Sequence, residues 1–121
     1  MEEMMRMMSE AEMKIAEWVW ANPGIGSMQL VKLCETNYAW KKSTVFTLIK
    51  RMRDKEMLEN RDSRLYMKVE RSRYYHDWAK SFIQTNYQGS LAQFLESYFA
   101  HEGISRLDAG RLLHIIRRYT I

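Results

Sequence analysis

This sequence has a single cysteine, and it lacks long apolar runs and a secretory leader. Its one cysteine, Cys34, excludes an internal disulfide and a cysteine-rich zinc or iron–sulfur site. No apolar run approaches the roughly 20 residues that cross a membrane. The first residues lack a charged-then-apolar signal, because Glu2, Glu3 and Arg6 interrupt the methionines there. We therefore expect a cytoplasmic protein without a membrane partner.

Proline and glycine are also scarce, which favours helices over loops and repeats. The chain has one proline and five glycines in 121 residues, with 46% hydrophobic and 28% charged side chains. This balance is ordinary for a globular protein. A chain of this length forms one domain, or one small domain with an appendage. It buries roughly two thirds of its unfolded surface without disulfides.

Positive charge is concentrated in the middle third of the chain. The formal net charge is +4, but residues 1–37 carry −3, residues 38–73 carry +6 and residues 74–121 carry +1. A local basic patch is typical of a protein that contacts a phosphate backbone. The alternative is a solvated helix face with scattered lysines, and charge alone does not decide between them.

Apolar spacing predicts three helices in the first half of the chain. Ser9 and Glu12 have the spacing of a capping box, and the helix that they open ends at residues 22–24. A second helix is predicted over residues 27–37. The third, over residues 42–55, has an apolar seam opposite a polar side. The seam consists of Val45, Leu48, Ile49 and Met52; the polar side consists of Ser43, Thr47, Lys50 and Asp54, bordered by Thr44, Arg51 and Phe46.

Two strand-like runs follow the third helix. Residues 57–60 precede the polar turn of residues 61–63, and residues 64–69 alternate between apolar and polar side chains. Three helices followed by a hairpin with a basic tip predict a mainly helical protein with a winged helix-turn-helix. We place this domain at residues 9–72, after a flexible N-terminal segment of residues 1–8.

Residues 73–121 predict a separate region of three helices. Gly89-Ser90 breaks this region, and Ser105 with Asp108 offers another capping box. Its apolar stripes need a partner surface, in this chain or in a second copy. We expect a symmetric homodimer, because a helix-turn-helix reader of a two-fold site needs two recognition helices at fixed separation. The residues assigned to dimerisation are Trp78, Phe82, Leu91, Phe94, Leu95, Tyr98, Leu112, Leu113 and Ile116.

Catalysis and metal binding have little support in the sequence. His76, His101 and His114 fall on different predicted helices, and no glycine-rich phosphate loop is present. We therefore expect no enzyme activity, no catalytic residue, no cofactor and no metal. Cys34 is expected to pack in the core, with redox sensing as its alternative.

The order and spacing of several motifs resemble the penicillinase-repressor family, which includes the repressors of β-lactamase and methicillin-resistance operons. The resemblance spans roughly residues 8–118. The motifs that carry it are Ser9-Glu-Ala-Glu12 with Trp20, the segment Trp40-Lys-Lys-Ser-Thr-Val-Phe-Thr-Leu-Ile-Lys-Arg-Met52, Arg64-Leu-Tyr66 and Gly89-Ser-Leu-Ala-Gln-Phe94.

This resemblance implies a transcriptional repressor that binds a palindromic operator of double-stranded DNA as a homodimer, with a role in antibiotic resistance. It also implies release by proteolysis in the dimerisation region. In the best-known members a sensor pathway triggered by β-lactams leads to cleavage of an Asn–Phe bond by a protease. The matching bond here is Gln93–Phe94, with glutamine in place of asparagine.

The sequence departs from the family pattern at three other positions. Phe46 replaces a long basic side chain and could stack on a thymine methyl or a sugar. Glu56 stands where glycine is common, and a positive φ there would cost on the order of 1 kcal/mol. Lys41 stands at a helix N-cap where relatives often have Ser or Thr. The paired cysteines of the copper-responsive branch are absent, so metal sensing of that kind is not expected.

Two groups of side chains are candidates for DNA contact. Cationic groups neutralise phosphates regardless of base sequence, and the phosphate candidates are Lys41, Lys42, Arg61 and Arg64, with Lys50 and Arg51 suited to either role. The N-terminal part of a recognition helix enters the major groove, so the base-reading candidates are Ser43, Thr44, Phe46 and Thr47. Outside the family resemblance, Thr44 and Thr47 are better explained as ordinary exposed helix positions.

Two other functions stay open. One is a ligand-responsive winged-helix regulator of another family, switched by a compound in the helical half. The other is a winged-helix module that binds protein instead of DNA. The ligand alternative would use a pocket of aromatic side chains, formed by Tyr74, Tyr75, Trp78, Phe82, Tyr87, Phe94, Tyr98 and Phe99.

Overall fold

Residues 7–121 are described by a computed structural model, and they contain six helices and one antiparallel sheet. Three helices and a hairpin come first and three helices follow, which confirms the mainly helical winged helix-turn-helix predicted above. The elements in chain order are α1 (Glu10–Ala21), β1 (Ile25–Gly26), α2 (Ser27–Tyr38), α3 (Lys42–Asp54), β2 (Leu58–Arg61), β3 (Arg64–Met67), α4 (Arg71–Tyr87), α5 (Leu91–Glu102) and α6 (Arg106–Tyr119).

The chain divides into two compact units, Met1–Ser81 and Phe82–Ile121. The division falls within α4, whereas the sequence placed a domain boundary after residue 72. The difference arises because Tyr74, on the first turns of α4, belongs to the hydrophobic core of the first unit. The winged-helix unit therefore includes the first part of α4.

The segment before α1 is anchored where the structure describes it. Residues 1–6 of the segment expected to be flexible lie outside the described residues. Met8 is buried, and its backbone N–H donates a hydrogen bond of 2.8 Å to the hydroxyl of Tyr74. The Met7 carbonyl accepts one of 3.0 Å from Lys55 Nζ. Met7 and Met8 are thus attached to the first unit ahead of the N-cap Ser9.

The apolar seam of α3 is buried as predicted. Val45, Leu48, Ile49 and Met52 are each at most 6% exposed, and they belong to one core cluster with residues of α1 and α2. Cys34 of α2 is fully buried in the same cluster, and burial raises the pKa of its thiol. The prediction of a core position for Cys34 is confirmed, and a raised pKa disfavours the reactive thiolate.

The sheet has one more strand than the sequence predicted. β3 is central, with β2 on one side and β1 on the other, and Ile25 of β1 pairs with Leu65. A strand of two residues carries no alternation of apolar and polar side chains, so the sequence could not reveal β1. β3 ends at Met67, two residues earlier than predicted. β1 joins the hairpin to the start of α2.

The hairpin turn and the end of α3 use left-handed backbone without glycine. Asp62 and Ser63 have φ values of 53° and 63° between the paired residues Arg61 and Arg64, which is the two-residue geometry that matches the twist of a hairpin. Glu56 has φ of 59°. The positive φ considered for Glu56 is therefore present, and a non-glycine residue in this conformation costs about 1 kcal/mol.

A buried carboxylate joins the start of α1 to the end of α3. Ser9 and Glu12 form the predicted capping box, with reciprocal hydrogen bonds of 2.8 and 3.2 Å. Glu12 is 2% exposed, and its Oε1 accepts a hydrogen bond of 2.7 Å from Lys55 Nζ. Burial raises the pKa of Glu12, but the hydrogen bonds from Lys55 and Ser9 outweigh this effect, so the pKa lies below its ordinary value of 4.5.

Replacement of Glu12 should therefore destabilise the protein in a pH-dependent way. We expect Glu12→Gln to lower the free energy of unfolding by about 2 kcal/mol at neutral pH, because it removes the buried negative charge that pairs with Lys55. Since the folded pKa is lowered, the stabilisation by the carboxylate is complete above pH 4.5 and is lost as the pH falls through the folded pKa.

Urea denaturation of both proteins at neutral and acidic pH measures this difference. The matched control is Glu10→Gln, which changes an exposed glutamate in the same helical turn. A difference between wild type and Glu12→Gln that stays constant down to about pH 3 would contradict the proposed role of the charge.

The second unit contains α5, α6 and residues 82–87 of α4. Ser90 and Ser105 cap α5 and α6, and their side chains accept hydrogen bonds of 3.1 Å from the backbone N–H groups of Gln93 and Asp108. The ring of Phe94 packs edge-on against Tyr87, with centroids 5.3 Å apart. The predicted helix breaks at residues 89–90 and 103–105 are confirmed.

Candidate nucleic-acid interface

One side of α3 combines small polar groups with positive charge. Because its seam faces the core, the remaining side chains point to solvent. We call this surface the exposed face of α3. The structure brings together on it eight of the ten predicted DNA-contacting residues, all of them exposed: Lys41, Lys42, Ser43, Thr44, Phe46, Thr47, Lys50 and Arg51.

The hydroxyl of Thr47 has a defined orientation. Its Oγ1 donates a hydrogen bond of 2.9 Å to the backbone carbonyl of Ser43, one turn earlier. The proton is thereby used within the helix, and the oxygen lone pairs stay available as acceptors. Thr47 therefore offers an acceptor and a methyl group to a partner.

The aromatic ring of Phe46 is paired with a cation. Phe46 is 36% exposed, and the ammonium group of Lys42 lies 5.8 Å from its ring centroid. This distance is within the range of cation–π attraction. The pair presents an apolar surface and a positive charge side by side.

The start of α3 depends on aromatic packing and not on a side-chain cap. Lys41 is the N-cap and makes no capping hydrogen bond with its side chain, as the sequence indicated. Before it, Trp40 packs on Tyr38 with ring centroids 4.8 Å apart, and Lys14 Nζ lies 4.8 Å from the Tyr38 ring centroid. Trp18 Nε1 donates to the Tyr38 hydroxyl at 3.0 Å. This cluster orients the chain that enters the helix.

The wing holds the other two predicted residues, and each has a partner. The Arg61 guanidinium stacks 4.1 Å from the centroid of the Tyr66 ring, and its Nε lies 3.2 Å from Glu59 Oε1. Arg64 Nη1 donates to the Gly24 carbonyl at 3.2 Å. Both arginines are exposed. They are therefore oriented by the fold, and the charge of Arg61 is partly neutralised.

Glu59 and Tyr66 were missed by the sequence analysis. They face each other across the hairpin, because Glu59 is the strand partner of Tyr66. The available signal was the spacing of Glu59 and Arg61, since residues two apart on a strand share a face. Tyr66 could be placed beside Glu59 only once the pairing register of the hairpin was known.

Other predicted features fall elsewhere. His76, His101 and His114 are exposed on α4, α5 and α6 respectively. The eight aromatic residues of the ligand alternative are divided between the two units, with Tyr74 in the core of the first. Between residues 7 and 121 no helix is long and apolar enough to cross a bilayer. The same residues contain no group of three or more histidine, cysteine or carboxylate side chains placed to bind a metal.

These features define a winged-helix protein whose exposed face of α3 and wing both carry positive charge. The sequence profile of the penicillinase repressor family matches residues 8–118, and the chain belongs to this family. A penicillinase repressor of Bacillus licheniformis is 20% identical over 115 residues, an alignment that covers 92% of this chain and 90% of the relative. Membership implies a DNA-binding transcriptional repressor, and the resemblance drawn from the sequence is confirmed.

The ion pair in the wing should limit DNA affinity. We expect Glu59→Gln to strengthen binding to any duplex, because it frees Arg61 and removes a negative charge near the phosphates. The plot of log K against log salt should become steeper by up to about 0.9, the value for one additional phosphate contact. Titrations at several salt concentrations with two unrelated duplexes measure this slope.

The matched control is Glu35→Gln, on the exposed side of α2. It makes the same charge change away from the wing. An equal gain in affinity for both variants would show that net charge alone is responsible, and would contradict the role of the Glu59–Arg61 pair.

Proposed function

We propose that this repressor acts in the cytoplasm as a homodimer on a palindromic operator. The observation that carries the proposal is the exposed face of α3, where polar and basic side chains stand opposite a seam that anchors the helix in the core. A rigid helix with small polar groups near its N-terminus suits the major groove. Family membership supports the same function.

Base reading is assigned to the first half of the exposed face of α3, by Ser43, Thr44, Phe46 and Thr47. Thr47 would accept a hydrogen bond from an exocyclic amine of adenine or cytosine, because its own proton is donated to Ser43. Phe46 would contact a thymine methyl. Phosphate contact is assigned to the cationic residues Lys41, Lys42, Lys50, Arg51, Arg61 and Arg64.

Thr47 and Lys42 should affect binding in different ways. We expect Thr47→Val, which keeps the shape and removes the hydroxyl, to cost about 1–3 kcal/mol on the operator and little on a scrambled duplex. Lys42→Ala should weaken both duplexes by a similar factor, because a phosphate contact carries no base information. Fluorescence anisotropy with both duplexes at one salt concentration measures the affinity of each variant relative to wild type, once on the operator and once on the scrambled duplex.

The matched control is Thr36→Val, which makes the same change at an exposed position of α2. Equal losses on operator and scrambled DNA for Thr47→Val would overturn its assignment as a base-reading residue.

The apolar surface of the second unit supports a homodimer. Large hydrophobic side chains there are exposed, including Leu91 at 58%, Tyr98 at 51%, Leu113 at 52% and Ile116 at 54%. Several large exposed apolar side chains on the same two helices favour a protein contact. A two-fold operator needs two copies of α3, so we assign the covering surface to a second copy of this chain. The predicted dimer residues Phe94, Leu95 and Leu112 are half-buried within one chain.

Ile116→Glu should therefore produce a monomer. A charge buried in an apolar interface without a partner is strongly unfavourable, so we expect the sedimentation coefficient to fall to that of one 14.6 kDa chain. Arg118→Glu, on the opposite side of α6, is the matched control and should leave the dimer intact. Sedimentation of the wild-type chain as a monomer at working concentration would overturn the homodimer.

Release from DNA is proposed to follow cleavage at Gln93–Phe94 by a protease of a sensor pathway. Gln93 is exposed, whereas Phe94 is half-buried against Tyr87. The bond lies in the first turn of α5, where the Gln93 N–H is held by the Ser90 side chain. Incubation with the host extract after β-lactam exposure, followed by mass spectrometry, tests the cleavage; intact protein under conditions that induce the regulated gene would exclude it.

A further inference from the structure

A single carboxylate on α1 holds the first turns of α4. Arg71 Nε donates to both oxygens of Glu17, at 3.0 and 3.1 Å. The Tyr75 hydroxyl donates to Glu17 Oε1 at 2.8 Å. Arg71 and Tyr75 are one helical turn apart, so Glu17 contacts α4 at two successive levels. All three residues lie within the first unit.

Aromatic contacts surround this network. The Arg71 guanidinium lies 4.7 Å from the centroid of the Tyr75 ring. The Tyr75 ring lies 6.3 Å from the Trp20 ring, measured between centroids, and Trp20 Nε1 donates to the Val69 carbonyl at 2.9 Å. The segment before α4 and its first turn are thus both attached to α1. We call Glu17, Arg71 and Tyr75 the α1–α4 clamp.

Stability alone does not account for the α1–α4 clamp. The side chains of Arg71 and Glu17 are 58% and 42% exposed, and exposed ion pairs contribute about 0–1 kcal/mol. Tyr74, on the neighbouring side of α4, already anchors the helix through its buried ring and its hydrogen bond with Met8. One anchor leaves a helix able to tilt. Two contacts on a second side, one turn apart, restrict that tilt.

A small tilt at the start of α4 has a large effect at its end. α4 has 17 residues, which corresponds to about 25 Å at 1.5 Å per residue. A tilt of about 10° at the first turn would move the last turn by about 4 Å over that length. Successive base pairs of DNA are about 3.4 Å apart along the helix axis. A change of this size in the direction of α4 would therefore move its last turn by about the spacing of one base pair.

We propose that Glu17 is a positioning residue that fixes the separation of the two half-sites that the repressor accepts. This inference rests on the homodimer and the palindromic operator proposed above. Residues from α4 onward carry the dimer contact, and the winged helix before α4 carries the DNA contact. A stiff connection between them favours one separation of half-sites, whereas a loose one accepts several, since a rigid binder avoids the entropy cost of ordering.

The test is a profile of affinity against half-site separation. Duplexes carry two copies of one half-site with the separation changed by one base pair at a time. Wild type and Glu17→Ala are compared, with Glu35→Ala as the matched control on α2. For Glu17→Ala we expect the preference for the best separation over its neighbours to fall by about threefold, the effect of losing an interaction near 0.7 kcal/mol. Glu35→Ala should keep the wild-type profile.

Two further measurements separate positioning from folding. The thermal stability of Glu17→Ala should fall by no more than the few degrees that the loss of an exposed ion pair causes, and its affinity for a single half-site should match that of the control. Tyr75→Phe removes one of the three hydrogen bonds and should give an intermediate profile. An unchanged profile for Glu17→Ala overturns the inference.

Failure of the proposed function has a different signature. A wild-type protein that sediments as a monomer contradicts the homodimer itself and the inference with it. A dimeric wild type that binds all separations equally contradicts the inference alone. A dimeric wild type with a sharp profile that Glu17→Ala retains contradicts the inference alone.

Discussion

Burial of one side of α3 determines what this protein presents to DNA. Val45 and Met52 are fully buried at the two ends of the seam, so α3 cannot rotate about its axis without exposing them. The polar side is therefore fixed outward by the hydrophobic effect and not by any contact of its own. The Glu12–Lys55 pair then holds the C-terminal end of the same helix against α1. The orientation of the exposed face of α3 therefore depends on side chains that lie in the core and make no contact with DNA.

Much of this arrangement could be predicted from the sequence, because its causes are local. The seam of α3 follows from helical periodicity, and the capping box from two residues three apart. The left-handed backbone at Glu56 was indicated only by the family resemblance, since relatives often have glycine at this position. The strand β1 could not be predicted, since two residues carry no period and the strand partner of Ile25 is Leu65, forty residues later in the chain.

The positive charge of the DNA-contacting region was predicted from the sequence, whereas the contacts between its side chains were not. Counting residues located the basic third of the chain, but not the neutralisation of Arg61 by Glu59 or the clamp around Glu17. These contacts depend on strand register and on the packing of α4 against α1. Glu17 and Tyr75 are separated by 58 positions. No pattern within a helix or a strand could have paired them.

The left-handed backbone at Glu56 has a consequence for how the protein tolerates heat. Glycine at this position would relieve about 1 kcal/mol of backbone strain, which corresponds to several degrees in melting temperature for a domain of this size. The residue lies at the surface, away from the seam of α3. A lineage that moved to warmer surroundings could thus gain thermal tolerance by one substitution without altering which operator it occupies.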